Sequence, residues 1–302
     1  MRFELLPPVP AVTLVRRLRE IPLFRFASMD ELFRIATISR QVRYAGDSRV
    51  QERGLPAEYI QVLLEGRFRV ENGRKEESDL ISPPAMLGFQ EVLKGTPIQD
   101  SAVAETESVV LVMPAEEFRT LLAANIELAQ GLFRMLLSPT GNDSGPAVPT
   151  LEGRPFRYEN RDAPLKTVEK VMYLQTVPIL SHANAEEIYE VAAISREIVL
   201  SPNETLFSPG SPAAMLLLLS GEVELTSAEG ETRTARAGAS LGLHETLAGS
   251  GFSHTGRVLR AGKALQIERE PLFDLLADRM DLLQGIFGAV FHSKGSSPAG
   301  AR

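Results

Sequence analysis

Apolar positions along this chain follow two rhythms that alternate. Leu32, Ile35, Ala36 and Ser39 recur three and four apart and share one face of a predicted helix. After Ser39 the spacing changes. RQVRY, SRVQE, YIQVLLEG and RFRVEN, between Arg40 and Asn72, are of strand length and are separated by Gly, Pro, Asn and Asp. Many short strands with frequent turn signals predict a sandwich or barrel. Another short helix, TLVRRLRE, precedes this block, and PAEEFRTLLAANIELAQGLFRMLL closes it with two more. The second half repeats the order: TVEKVMYLQ, then a helix with Ile188, Val191, Ala192 and Ser195 on one face, then strands, then REPLFDLLADRMDLLQGIFGAVF.

The repetition extends to single residues. IPLFRFASMDELFRIATISRQVRYAGDSRVQERG from Ile21 aligns without a gap on VPILSHANAEEIYEVAAISREIVLSPNETLFSPG from Val177, an offset of 156 residues. Pro22 meets Pro178, Glu31 meets Glu187, and Gly54 meets Gly210. LLEGRFRVE (63–71) meets LLSGEVELT (218–226), with Gly66 and Gly221 each ending a predicted strand. LGFQEVLKG (87–95) meets LGLHETLAG (241–249) in the pattern L-G-x-x-E-x-L-x-G. A period this long is a domain duplication. The expected fold class is α+β, mainly β: two tandem β-rolls of jelly-roll type, each flanked by N- and C-terminal helices. Boundaries fall at 1–137 and 165–292, with a Pro/Gly-rich linker at 138–164, pinned by Phe156 and Tyr158, and a disordered tail at 293–302.

Composition narrows the function. The 302 residues suffice for two domains, and 44% hydrophobic content supports a core in each. A net charge of −7 weighs against nucleic acid and anionic membranes as partners. Without cysteine there is no disulfide, thiolate nucleophile or Cys-ligated metal. The N-terminus does not read as a signal peptide, and AAMLLLLS (213–220), the longest apolar run, has strand length; a cytoplasmic location is expected, with no membrane insertion. The four histidines, His182, His244, His254 and His292, are far apart in sequence, with no H-x-H or H-E-x-x-H, so no metal is expected. There is no G-x-S-x-G.

The apolar entry turn before a D/E-E-L/I helix, the turn Gly before the central strand, the Leu-Gly opening a short helix, and the final strand running into MPAEEF or IEREPLF occur in that order, twice. Together they resemble the cyclic nucleotide-binding domain family over about residues 12–137 and 165–291. The family's cassette resembles F-G-E-x-A-L-L-x-x-x-P-R-A-A-T. There a helix start and an Arg hold the phosphate, and a Glu holds the ribose. Carried onto this chain, Gly88 and Gly242 are kept. The Glu positions are Phe89 and Leu243, and the Arg positions are Ile98 and Phe252. All four polar anchors are apolar.

The resemblance therefore implies a non-enzymatic regulatory module that does not bind cyclic AMP or cyclic GMP in the usual way. It would act as a sensor of another small molecule or as an interaction scaffold, without cofactor. The alternatives are a genuine cyclic-nucleotide regulator using substituted contacts and, further off, a cupin-like metal enzyme. Candidate ligand positions are Gly88, Phe89, Glu91, Lys94, Ile98 and Ser101 in the first copy, and Gly242, Leu243, Glu245, Phe252, His254 and Thr255 in the second. Strand alternation puts His254 on the face of Phe252 and turns Arg257 away. Glu91 and Glu245 also suit a helix N-terminus, and Gly88, Gly95, Gly242 and Gly249 suit unusual backbone angles. A helix-turn-helix reader is not expected, since some ten polar residues follow the final helix. The apolar end of that helix, Ile286, Phe287, Val290 and Phe291, is the candidate surface for a homodimer or protein partner.

Overall fold

The computed structural model describes residues 3–21, 24, 25, 27–71, 78–137, 151, 152, 163–180 and 183–295. Pro22, most of the segment between the copies with Phe156 and Tyr158, His182 and residues 296–302 lie outside the described residues. The chain packs as two units, Met1–Leu128 and Ala129–Arg302.

The first unit runs β1 (Glu4–Leu5), α1 (Ala11–Glu20), α2 (Met29–Ile38), β2 (Arg40–Tyr44), β3 (Arg49–Gln51), β4 (Tyr59–Glu65) and β5 (Phe68–Glu71). It continues with β6 (Ser78–Ile81), β7 (Ala85–Leu87), α3 (Phe89–Lys94), β8 (Ser101–Ala104), β9 (Ser108–Pro114) and α4 (Ala115–Ala123). Its strands form two antiparallel sheets, ordered β1-β2-β9-β4-β7 and β3-β8-β5-β6. Val42, Tyr44, Leu63, Phe68 and Val110 fill the core between them. The four predicted strands of this copy are β2 to β5, as the period-2 pattern required.

Helix α5 (Ile126–Leu137) begins in the first unit and ends in the second. The latter then has β10 (Leu151–Glu152), α6 (Thr167–Leu174), a 3-10 turn at Pro178–Leu180, α7 (Ala185–Ile194), β11 (Arg196–Leu200) and β12 (Thr205–Phe207). Next come β13 (Met215–Thr226), β14 (Thr232–Arg236), β15 (Ala239–Leu241), α8 (Leu243–Ala248), β16 (Thr255–Ile267), α9 (Arg269–Asp278) and α10 (Met280–Gly295). These strands make one seven-stranded sheet around β13 and β16. Gly221 does not end a strand, as the sequence suggested. It lies within β13, where the pairing with β16 shifts register between Ser220 and Glu222 and lets one strand continue around the roll.

The duplicated helices start the same way. Ser28 accepts from the Glu31 amide (3.2 Å) and Asn184 from the Glu187 amide (3.0 Å), each Glu returning to the cap amide. Ser39 and Ser195 sit on the apolar faces because their hydroxyls donate to Ile35 and Ala192 carbonyls (2.6 and 2.8 Å).

Phe133 of α5 stacks on Phe287 at 4.3 Å and meets Phe273 edge-on at 6.2 Å, which places the end of α5 in the second unit. The final helix also continues to Gly295, into the stretch read as tail. The same packing covers most of the expected partner surface: Ile286, Phe287 and Val290 are buried inside this chain, against α5 and the 3-10 turn, while Phe291 is half-buried. Within 138–164, the described strand Leu151–Glu152 pairs with Ser240 and Ala239.

The second copy holds an ion pair at a position where the first copy has Gln41 in place of Glu197. Lys263 and Glu197 meet at 2.7 Å with little exposure, and Glu197 also accepts from the Leu165 amide (2.7 Å). Burial by itself would raise the Glu197 carboxyl. Hydrogen bonds from Lys263 and the Leu165 N–H, and the charges of Lys263 and Lys170, outweigh it and hold the group below the ordinary carboxylate range. A depressed folded-state value stabilises the fold above the unfolded value, about 4.3, and that contribution is lost as pH falls through the depressed value. Lys263→Met should cost about 3 kcal/mol near neutrality by leaving the largely buried Glu197 carboxylate without its ion-pair partner. In urea melts, that deficit should shrink as pH falls below the Glu197 range. A deficit independent of pH would contradict the assignment.

Candidate functional site

Each copy builds the same cassette. The short strand before it (β7, β15) is followed by a glycine with left-handed backbone, Gly88 (φ 75°) and Gly242 (φ 69°). A β-carbon on Gly88 would lie 2.5 Å from the Tyr59 carbonyl oxygen, and on Gly242 2.5 Å from that of Ala214. Only glycine lets the turn come this close to the central strand. The turn opens α3 and α8, whose first bonds run from Val92 and Thr246 amides to the glycine carbonyls (both 2.9 Å). Gly95 and Gly249, again left-handed, end these helices (φ 66° and 69°). The glutamates found by motif lie in the first turn of each helix, and their backbone carbonyls accept from Thr96 and Ser250 (3.0 Å each).

The chain then crosses to the turn that precedes the central strand, β4 or β13. Ile98 donates to Leu55 and accepts from Gly54 (both 2.9 Å). Phe252 donates to Ser211 (2.9 Å) and accepts from Gly210 (2.8 Å). Identical bonds at duplicated positions make Ile98 and Phe252 structural equivalents. Both are buried, at 3% and 6% exposure.

The copies differ in what lies opposite. A bulge of the same form precedes Gln51 in β3 and Phe207 in β12, so those two residues also correspond. Gln51 is buried and donates its amide to the Asp100 carbonyl (2.8 Å). Phe207 instead stacks on Phe252, with centroids 3.9 Å apart and planes 9° from parallel. The Phe252 ring reaches the cassette glycine itself: a β-carbon on Gly242 would lie 2.6 Å from its Cε1.

Beside this stack is a small cavity of about 20 Å³ that opens to solvent. Phe207, Leu225, Leu241 and Phe252 form the apolar wall. Gly242, Glu245 and His254 complete it. His254 is 6% exposed and shares the inward face with Phe252, while Arg257 points out toward Asn203. Ser253 Oγ donates to Glu245 Oε1 at 2.6 Å and lies 2.6 Å from His254 Nδ1. His254 Nε2 is buried without a hydrogen-bond partner among the described residues.

Gly242, Glu245, Phe252 and His254 are thus brought together, whereas Leu243 and Thr255 do not line the cavity. Leu243 is 1% exposed, and Thr255 begins β16 opposite Thr226. In the first copy Phe89 meets Phe118 of α4 edge-on at 6.5 Å, which turns it toward the helix. Ser101 Oγ accepts from the Arg53 amide (3.1 Å), and Lys94 is half-buried in the last turn of α3. Sequence reasoning missed Phe207, Leu225, Leu241 and Ser253. Only Phe207 carried a signal, as an aromatic three residues before the duplicated Gly210. Among the described residues no three His, Asp or Glu converge to hold a metal ion, and no helix is long and apolar enough to cross a membrane.

The sequence profile of the cyclic nucleotide-binding domain matches the chain twice, over residues 41–125 and 197–279. The chain belongs to the cyclic nucleotide-binding domain family. Its two family domains are the tandem β-rolls described above. No curated protein sequence matches the chain. Solved structures similar to it include the regulatory domain of Toxoplasma gondii PKA with cAMP, at 14% identity over 90% of this chain and 94% of that one, TM-score 0.37. Another is the regulatory subunit of a cAMP-independent protein kinase A from Trypanosoma cruzi bound to guanosine, at 15% identity over 93% and 89%, TM-score 0.36. The N-terminal domain of a transcriptional regulator from Streptomyces coelicolor matches at 20% identity over 39% and 88%, TM-score 0.35.

Proposed function

We propose that this tandem cyclic nucleotide-binding protein is a non-enzymatic regulatory module whose cups no longer accept a cyclic phosphodiester. The observation that carries the reading is Phe252. Its ring lies against Gly242, at the start of the cassette helix, and stacks on Phe207. Admitting a nucleotide there requires the ring to leave its stack, at a cost of about 2–4 kcal/mol in lost burial and ring contact. The phosphate then finds no cation at the Phe252 position, and the ribose no carboxylate at Leu243. Two charge-assisted bonds at about 1.5–3 kcal/mol each correspond to roughly two to four orders of magnitude in affinity. Ile98 and Phe89 remove the same two groups from the first copy.

Retention of the roll without its anion chemistry fits a sensor of another small molecule, with the second cup as the candidate site. Thermal-shift titration with a panel of cyclic mono- and dinucleotides tests this. No stabilisation is expected at millimolar ligand, whereas a ligand at 100 times its Kd would add about 2.7 kcal/mol. A clear shift with cyclic AMP or cyclic GMP would overturn the reading and favour substituted contacts.

A further inference from the structure

LLAANIELAQG (121–131) and LLADRMDLLQG (275–285) correspond residue by residue at an offset of 154. Each stretch holds the junction between the two closing helices of its copy. Asn125 immediately precedes α5, and Arg279 immediately precedes α10. Their carbonyls accept from the Leu128 and Leu283 amides (3.0 and 3.1 Å), and the backbone at Arg279 leaves the helical region, φ −128° and ψ 83°. Both junctions are tied to the capped helix at the front of their own copy, α2 or α7. The tie comes from a second pair of matched positions, Arg34 and Glu190, at the offset of 156.

The chemistry of the two ties differs. In the second copy Arg279 Nε donates to Glu190 Oε2 (2.8 Å), and its Nη2 donates to Glu190 Oε1 and to Glu186 Oε1 (the latter at 3.0 Å). That is a charge-assisted fork onto two carboxylates of one helix. In the first copy the cation is on the front helix. Arg34 Nη1 donates to Asn125 Oδ1, a neutral acceptor, while the Asn125 amide group donates to the Leu121 carbonyl (2.8 Å). One bond to a neutral group stands where the second copy has three to charged ones.

We propose that the two junctions are unequal hinges: Arg279 latches the second to α7, and the first, held through Asn125 alone, is the one that opens. Local opening is drawn from the least stable contacts of a fold. The first junction also begins α5, the helix on which the chain leaves the first unit. The Arg279 and Glu190 side chains are about one-third exposed, so salt reaches the latch.

Hydrogen exchange on the full chain, read by mass spectrometry over 121–131 and 275–285, tests this. After correction for intrinsic rates, the first stretch should exchange about fivefold faster than the second. Arg279→Ala and, with the junction residue kept, Glu190→Gln should each raise exchange in 275–285 toward the first-copy rate, with thermal melts confirming the fold. Arg34→Glu combined with Asn125→Arg transplants the latch and should slow 121–131 about fivefold. About 1 M salt should speed 275–285 alone. Equal exchange of the two stretches in the unmodified chain, or no acceleration in either single variant, would overturn the proposal. So would acceleration spread evenly over the second unit, which would make the ion pair a support of the whole fold and not of the junction.

Discussion

Leu243→Glu combined with Phe252→Arg is expected to give the second cup affinity for cyclic AMP at least a hundredfold above the wild-type chain. The backbone at 252 is pinned by its bonds to Gly210 and Ser211, so an Arg there starts from the direction of the present ring, toward Gly242. It replaces the group that blocks the cassette with one that forks onto a phosphate. Leu243 is buried and does not line the present cavity, so the Glu at 243 must turn its carboxylate into the opened cup to accept from a sugar hydroxyl. Removing Phe252 from its stack costs about 3–4 kcal/mol, so thermal melting must accompany the calorimetry. Phe252→Ala separates the two effects. It opens comparable space without a charge and should stay without affinity for the nucleotide. If Phe252→Ala bound cyclic AMP as well as the double variant, loss of the cation would not be the reason for refusal.

Gly242→Ala should be the most damaging single methyl in the second unit's cassette. Its β-carbon would stand 2.5 Å from the Ala214 carbonyl oxygen and 2.6 Å from the Phe252 ring, on backbone at φ 69°. The neighbouring backbone cannot yield without breaking the β13–β15 pairing, where Leu216 and Leu217 face Leu241 and Ser240. Strain and clash together should cost about 3–5 kcal/mol. Gly249→Ala provides the comparison. Its backbone is equally left-handed, but its β-carbon would meet Arg269 Nε at 3.2 Å, on a flexible side chain that can move. About 1 kcal/mol is expected there. Equal losses in urea melts would mean that backbone angle, rather than close approach, governs the cassette.

The duplication made most of the fold legible. Residues matched at a fixed offset, such as Gly54 with Gly210 and Ser39 with Ser195, settled element order before any pairing was known. Ile98 and Phe252 could be found by counting because glycines bracket the cassette on one side and a strand closes it on the other. Phe207 was harder to assign. It follows a bulge, and a strand that gains a residue changes which side chains face inward. The Glu245–Ser253–His254 chain was not legible either, since it spans the cassette helix and the crossing segment, and only their fold sets the two 2.6 Å separations. The cover over the end of α10 was not legible for a related reason. An amphipathic helix shows that it has an apolar face, whereas its cover, here Phe133 from α5, lies about 150 residues away in sequence.

A crystal structure of the unmodified chain grown in millimolar cyclic AMP tests the central claim most directly. The Phe252 ring should remain parallel to Phe207 and against Gly242, with no nucleotide beside it. A cyclic nucleotide seated on α8, with Phe252 swung clear and a cation from elsewhere on its phosphate, would contradict it.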